Sequence, residues 1–223
     1  MARVIPILWE PLTDEQRELL SGHITIHKCL RDEMLFAEGD IPQSLFYLLR
    51  GKVTMLRQGI GDQRVIVRMV EPGAMFGFAA AFEGVPLKST AIAGENAVVL
   101  KVPMTLIFHL IWENSNFAML FIKELSALLG LSISHTITLT QKHMRGRLAE
   151  VLLRLRDMYG VEDDGVTLSV YLSRDDLGKM SNMTTSNAIR TLSAFVSEGL
   201  LAFSGRRIRF LNIDELTHIS RMG

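Results

Sequence analysis

The chain has 223 residues, 22% of them charged and 48% hydrophobic, and its 24 basic and 24 acidic side chains cancel to a formal net charge of +0. That balance excludes a disordered chain and a protein coated in basic charge, while leaving room for a local basic patch. A single cysteine, Cys29, excludes an internal disulfide, a zinc site built from cysteines and a four-cysteine iron–sulfur cluster.

The opening MARVIPILWEPL has one Arg and a short apolar run broken by two prolines, without the core of a signal peptide. No later stretch reads as a spanning helix without charges, so a cytoplasmic protein with no membrane association is expected. Thr13-Asp14-Glu15-Gln16 has the form of a capping box and starts a short helix through Leu20. From Ile24 to Val102 short alternating or apolar runs are punctuated by Gly and Pro, which predicts many short strands and hence a β-barrel or sandwich. Gly59-Ile60-Gly61-Asp62 looks like a hairpin tip. It is no dinucleotide fingerprint, because Arg64 stands where a third glycine would be.

After Pro103 the period becomes helical. Asn114 or Ser115 can cap a long helix that runs to about Lys142. Ile122, Leu125, Leu129, Ser132, Thr136, Leu139 and His143 recur along it at alternating spacings close to a heptad seam. Such a helix can link two domains and pair with a copy of itself; the alternative is burial against its own barrel. A second helix follows from about Arg145 to Tyr159, with Leu148, Val151, Leu152 and Leu155 inward and Gly160 as its stop. The loop VEDDG then leads to an expected strand, Val166 to Val170.

Ser173 to Gly199 reads as two helices joined by a tight turn. Ser173 and Asp176 form a capping pair, Leu177 faces inward, and Gly178 permits close approach of the second helix. Ser181-Asn182-Met183 is the turn, and Thr184 is the next N-cap. Ala188, Leu192 and Phe195 make the buried stripe of the second helix. Thr185, Ser186, Asn187, Ile189 and Arg190 are left outward, which suits a helix laid into a major groove. Leu201 and Phe203 alternate before a turn at Gly205, and Ile208 and Phe210 alternate after it. Arg206, Arg207 and Arg209 cluster at that turn, within reach of phosphates. Helix, turn, helix and basic hairpin outline a winged helix-turn-helix.

The order barrel, long helix, winged helix resembles the Crp/Fnr family of bacterial transcription regulators over nearly the whole chain. In the barrel, Glu38-Gly39-Asp40 and Leu45 to Val53 look like the cyclic-nucleotide-binding signature, with Gly73, Phe76, Gly77 and Ser89 at further positions. In the C-terminal half, Leu172-Ser173-Arg174, Leu177, Arg190, Leu192 and Glu198 to Leu201 fit the DNA-binding domain. The implied fold is α+β: an N-terminal jelly-roll β-barrel, a long dimerisation helix and a C-terminal winged helix-turn-helix. The corresponding boundaries are 1–113, 114–143 and 144–223.

The resemblance implies a sequence-specific regulator that binds double-stranded DNA as a homodimer on an inverted repeat, with RNA polymerase as a partner. It places base contacts at Thr185, Ser186 and Arg190. Ser173, Arg174, Lys179 and Thr184 are candidate phosphate contacts, joined by Arg206 and Arg207 of the wing. The dimer interface would use Ile122, Leu125, Leu129, Ser132, Thr136 and Leu139. Gly77, Phe78, Ala79, Lys88, Ser89 and Ser132 would line the effector pocket.

That pocket departs from the cyclic-AMP pattern. Phe78 replaces the carboxylate that holds the ribose, and Lys88 replaces the arginine that neutralises the phosphate. The loop from Phe78 to Phe82 is apolar. Cyclic AMP is therefore not the expected effector, and the effector is unidentified. Haem is an open alternative, since six histidines and 12 methionines supply axial donors. His109, His135 and His143 lie in or near the long helix, and His23 and His27 flank the first strand. No metal ligand is assigned. No catalytic arrangement is visible, so an enzyme is not expected; a nucleotide-binding-like regulatory module without DNA activity is the competing function.

Overall fold

The computed structural model describes residues 4–59 and 64–223, apart from the side chain of His135. The chain divides into two units, Met1–Gly130 and Leu131–Gly223.

In the first unit the strands are β1 (Thr25–Cys29), β2 (Met34–Phe36), β3 (Ser44–Arg50), β4 (Val53–Gln58), β5 (Arg64–Val70), β6 (Met75–Phe76), β7 (Thr90–Ala93) and β8 (Ala97–Pro103). The helices are α1 (Pro6–Trp9), α2 (Asp14–His23), α3 (Ala79–Glu83), α4 (Met104–Glu113) and the start of α5 (Ser115–Gln141). The strands form two antiparallel sheets, ordered β1-β8-β3-β6 and β2-β7-β4-β5. The expected barrel or sandwich is realised as two facing antiparallel sheets. Residues 60–62 of the expected hairpin tip lie outside the described residues.

β3 explains the layering. Its side chains alternate between faces, yet Leu45, Phe46, Tyr47 and Leu48 are all buried. Phe46 and Leu48 enter the interior with Phe36, Val53, Phe76 and Val99. Leu45 and Tyr47 instead join Leu100, Val102, Leu20, Ile107, Phe117 and Phe121 under the helices. One sheet is therefore covered on both faces, which is why its strands read as continuous apolar runs. The Glu38-Gly39-Asp40 signature acts as a clamp. Asp40 Oδ2 accepts from the Ala37 amide at 2.8 Å, and the backbone of Gly39 and Asp40 pairs with Leu87 at 2.8 Å in both directions.

Two helices here escaped the sequence reading. α1 begins on Pro6, where a missing N–H costs nothing. The segment read as an apolar loop contains α3, with Phe78 at its N-cap and Gly84 at φ 72° as its stop. α2 opens as expected, on a capping box between Thr13 and Gln16.

The second unit holds the end of α5, then α6 (Met144–Tyr159), α7 (Arg174–Met180), α8 (Thr185–Ser197), β9 (Leu201–Ser204), β10 (Arg207–Phe210) and α9 (Ile213–Met222). α6 buries Leu148, Val151, Leu152 and Leu155 as its spacing predicts. His143, expected within the long helix, is instead the N-cap of α6. The expected strand Val166–Val170 does not form. Its place is taken by isolated bridges at Val161↔Leu168 and Thr167↔Arg209, because Asp164 draws the Val166 and Thr167 amides into a turn. α9 was not anticipated; Asn212 caps it, its Leu216 is buried, and the helix packs against α6.

Candidate nucleic-acid interface and effector domain

α7 begins where Ser173 Oγ accepts the Asp176 amide at 3.0 Å and Asp176 Oδ2 accepts the Ser173 amide at 3.0 Å. That reciprocal pair satisfies two amides a helix start leaves open. Asn182 takes the left-handed conformation at φ 50°, turning the chain sharply. A Cβ on Gly178 would lie 3.1 Å from the Met183 carbonyl and 3.5 Å from the Ala188 methyl. A methyl there would push the Met183 carbonyl back by a few tenths of an ångström, so the glycine eases the close crossing of α8. Thr184 caps α8 by accepting the Asn187 amide, and Ala188, Leu192 and Phe195 are buried.

The opposite face of α8 presents Ser186, Ile189 and Arg190 to solvent. Among the described residues Arg190 has no hydrogen bond or ion pair, so its guanidinium fork is free to meet a guanine edge. Thr185 sits differently. It is half-buried, and its hydroxyl donates to Asp175 at 2.7 Å. Asp175 also pairs with Lys179 at 2.6 Å, and these two partners, Lys179 foremost, hold its carboxyl below the usual range. Asp175 is the residue the sequence reading missed. Its signal was the i, i+4 spacing to Lys179.

The other candidate phosphate contacts are partly engaged. Ser173 and Thr184 are caps. Arg174 lies 3.8 Å over the Phe203 ring, tying α7 to β9, and burial lowers its pKa. Arg206 and Arg207 are exposed on the hairpin between β9 and β10. Arg207 stands 5.8 Å above Tyr171, and Arg209 extends the exposed row while Ile208 and Phe210 turn inward.

In the first unit the proposed pocket residues do not share one environment. A Cβ on Gly77, at φ 78°, would meet the Phe46 ring at 2.9 Å and that of Phe36 at 3.1 Å. Phe36, Phe46 and Phe76 pack together there, with centroids 5.3–6.2 Å apart. Phe78 turns the other way. It is 1% exposed and meets Phe121 of α5 at 5.6 Å and Phe82 at 6.1 Å. Ala79 and Lys88 are exposed, Ser89 is buried, and Lys88 is held by Glu83 at 2.6 Å. Ser132 is exposed on α5, within the second unit.

By length and composition α5 is long and apolar enough to cross a bilayer, although it carries Lys123 and Glu124. Its start is anchored in the first unit by buried Phe117 and Phe121, with Leu125 and Leu128 packed beside them. Met119, Ile122, Leu129, Ile133 and Ile137 are exposed. Of the expected seam, Ile122, Leu129, Ser132 and Thr136 are outward, whereas Leu125 and Leu139 are half-buried. The outward positions 119, 122, 126, 129, 133, 136 and 140 alternate by three and four residues. Near the C-terminal end, Thr138 Oγ1 donates to Glu150 at 3.0 Å and Lys142 pairs with Glu150 at 2.6 Å, fixing α5 against α6.

Residues 26–114 match the model of the cyclic nucleotide-binding domain, and residues 146–219 that of the Crp-like helix-turn-helix domain. The cAMP-activated global transcriptional regulator CRP of Pasteurella multocida is 24% identical over 89% of this chain and 95% of its own length. The global nitrogen regulator of a Nostoc species is 24% identical over 80% of this chain and 81% of its own length. The solved structure of FixK2 from Bradyrhizobium japonicum superposes with a TM-score of 0.79 at 22% identity, covering 88% of this chain and 96% of that one.

Proposed function

We propose that this chain, which belongs to the Crp/Fnr family of DNA-binding transcription regulators and is not an enzyme, binds an inverted-repeat operator as a homodimer. The observation that carries the reading is the division of α8 into two faces. Ala188, Leu192 and Phe195 are buried on one, while Ser186, Ile189 and Arg190 stand free on the other. Arg190 reads a guanine, Ser186 contacts a neighbouring base, and Ile189 touches a thymine methyl. Arg206 and Arg207 hold phosphates, giving affinity and salt dependence without sequence preference. Thr185, Ser173 and Thr184 support this surface chiefly from within; Arg174 and Lys179 reach the backbone once their present partners yield.

The apolar stripe from Met119 through Ile133 supports self-association. A heptad-like row of exposed apolar side chains is stabilised by pairing with a copy of itself. Two copies would set their recognition helices about 34 Å apart, one turn of DNA. We assign the protein to the cytoplasm, where DNA and RNA polymerase are its partners.

The effector is read as something other than cyclic AMP. Phe78 is packed where a ribose partner would be needed, and Lys88 is already neutralised by Glu83. Haem or another small molecule acting here would reach α5 through the Phe78–Phe121 contact. A shift of that contact would alter the stripe on α5, and so the spacing of the two reading heads.

The test is selection of DNA from a randomised pool by the full chain, followed by footprinting. Two symmetric half-sites one turn apart, lost with Arg190→Ala, are expected. A single asymmetric half-site, or binding indifferent to Arg190→Ala, would overturn the reading. Titration of the same protein with haem, followed by its Soret absorbance, distinguishes haem from other effectors.

A further inference from the structure

At the edge of the sandwich, His27, Cys29 and Glu33 bring one nitrogen, one sulfur and one carboxylate oxygen within 4.8 Å of one another. His27 and Cys29 are two residues apart on β1, and so share a face of the strand. Glu33 returns to them from the turn before β2. That turn is fixed independently of the side chains. The Ala93 amide donates to the Glu33 carbonyl and the Asp32 amide to the Ala93 carbonyl, each at 2.8 Å. The three donors are thus held where an edge strand of one sheet meets the other sheet.

We propose that His27, Cys29 and Glu33 form a binding site for a single thiophilic divalent cation of the zinc class. Mixed nitrogen, sulfur and oxygen donation suits such an ion, and three protein ligands leave a fourth position for water. At Zn–S of about 2.3 Å and Zn–N and Zn–O of about 2.1 Å, tetrahedral donors stand roughly 3.5 Å apart. Donors within 4.8 Å of one another need closure of up to about 1.3 Å on the longest side. His27 and Glu33 can supply it, since their side chains are 50% and 35% exposed.

Without an ion, His27 Nε2 and Glu33 Oε1 share a hydrogen bond of 2.8 Å. The ion replaces that proton-mediated contact and takes the thiol as thiolate, its proton leaving to solvent. Glu33 keeps a second oxygen on the Leu30 amide at 2.8 Å, which orients the carboxylate. The site contributes no step to DNA reading. It would pin β1 to the β1–β2 turn, and so couple metal supply to the stability of the effector domain.

The test uses the reduced, chelator-treated full chain titrated with Co2+ and then Zn2+. Expected are one Co2+ per chain, a thiolate-to-cobalt charge-transfer band in the near ultraviolet, displacement by Zn2+, and a higher thermal midpoint with zinc. Cys29→Ser should abolish the band. Because Cys29 is buried and that variant could misfold, the half-exposed ligands carry the decision: His27→Ala and Glu33→Gln should each weaken binding at least about tenfold. His109→Ala, on a separate histidine–carboxylate pair, should leave it unchanged. Absence of saturable binding, binding without a sulfur band, or affinity unchanged in both His27→Ala and Glu33→Gln would overturn the proposal.

Discussion

The Thr185 hydroxyl donates to the Asp175 carboxylate at 2.7 Å, so the first residue of the recognition helix is engaged by the helix before it. The same carboxylate holds the Lys179 ammonium at 2.6 Å. Asp175 therefore places a negative charge at the proposed DNA surface while restraining two groups that could face DNA. Asp175→Ala should strengthen binding to selected and unrelated duplexes alike and steepen the salt dependence by about one phosphate contact. Fluorescence anisotropy across a salt series measures both. Tightening confined to one base pair of the operator would instead mean that Thr185 reads sequence.

Arg190→Ala should cost roughly 1–3 kcal/mol on the selected operator and little on unrelated DNA. Its exposed position, with no partner among the described residues, predicts an unchanged thermal midpoint. Equal losses on both DNAs would make Arg190 a phosphate contact.

Phe78→Glu restores the type of side chain found at this position in cyclic-AMP binders. Here it would bury a carboxylate between Phe82 and Phe121. Destabilisation of at least the roughly 3–5 kcal/mol expected for Phe78→Ala should result, without gain of cyclic-AMP binding. Denaturant unfolding and calorimetric titration decide it. A stable variant that binds cyclic AMP would show that the aromatic cluster can yield.

Leu129→Asp combined with Ile133→Asp should shift the protein toward monomer in sedimentation equilibrium and weaken operator binding. Leu129 is 63% and Ile133 53% exposed, so the fold of one chain should be unaffected. An unchanged oligomeric state would place self-association elsewhere.

Asp164 accepts from the Thr167 hydroxyl and from the Val166 and Thr167 amides, and these bonds, the hydroxyl first, lower its pKa from 3.8 to about 2. The folded value lies below the unfolded one. The unfolded chain thus binds more protons between them, and the contribution of Asp164 is present above pH 3.8 and fades as pH falls toward 2. The difference in thermal midpoint between the native chain and Asp164→Ala should shrink over that interval. A constant difference would mean that folding does not lower the pKa of this carboxyl.

Local rules made much of the second unit legible in the sequence alone. Ser173 with Asp176, Thr184, Gly178 and the Ala188–Leu192–Phe195 stripe each state their roles through spacing and hydrogen-bonding chemistry, and each occupies the expected place. Strand-rich texture and the cyclic-nucleotide signature likewise identified the first domain. What tertiary structure decided was which atoms were already taken. Thr185 and Lys179 meet Asp175, Arg174 meets Phe203, and Phe78 meets Phe121. Leu125 packs into the first unit's core while Ile133 remains outside, a distinction that near-equal apolar side chains at neighbouring helical positions do not announce. His27, Cys29 and Glu33 became a cluster only because a turn fastened to β7 folds the carboxylate back onto its strand. Period and capping act within a few residues of chain; side-chain partnership depends on distances across it, and these exist only once the sheets and helices have packed.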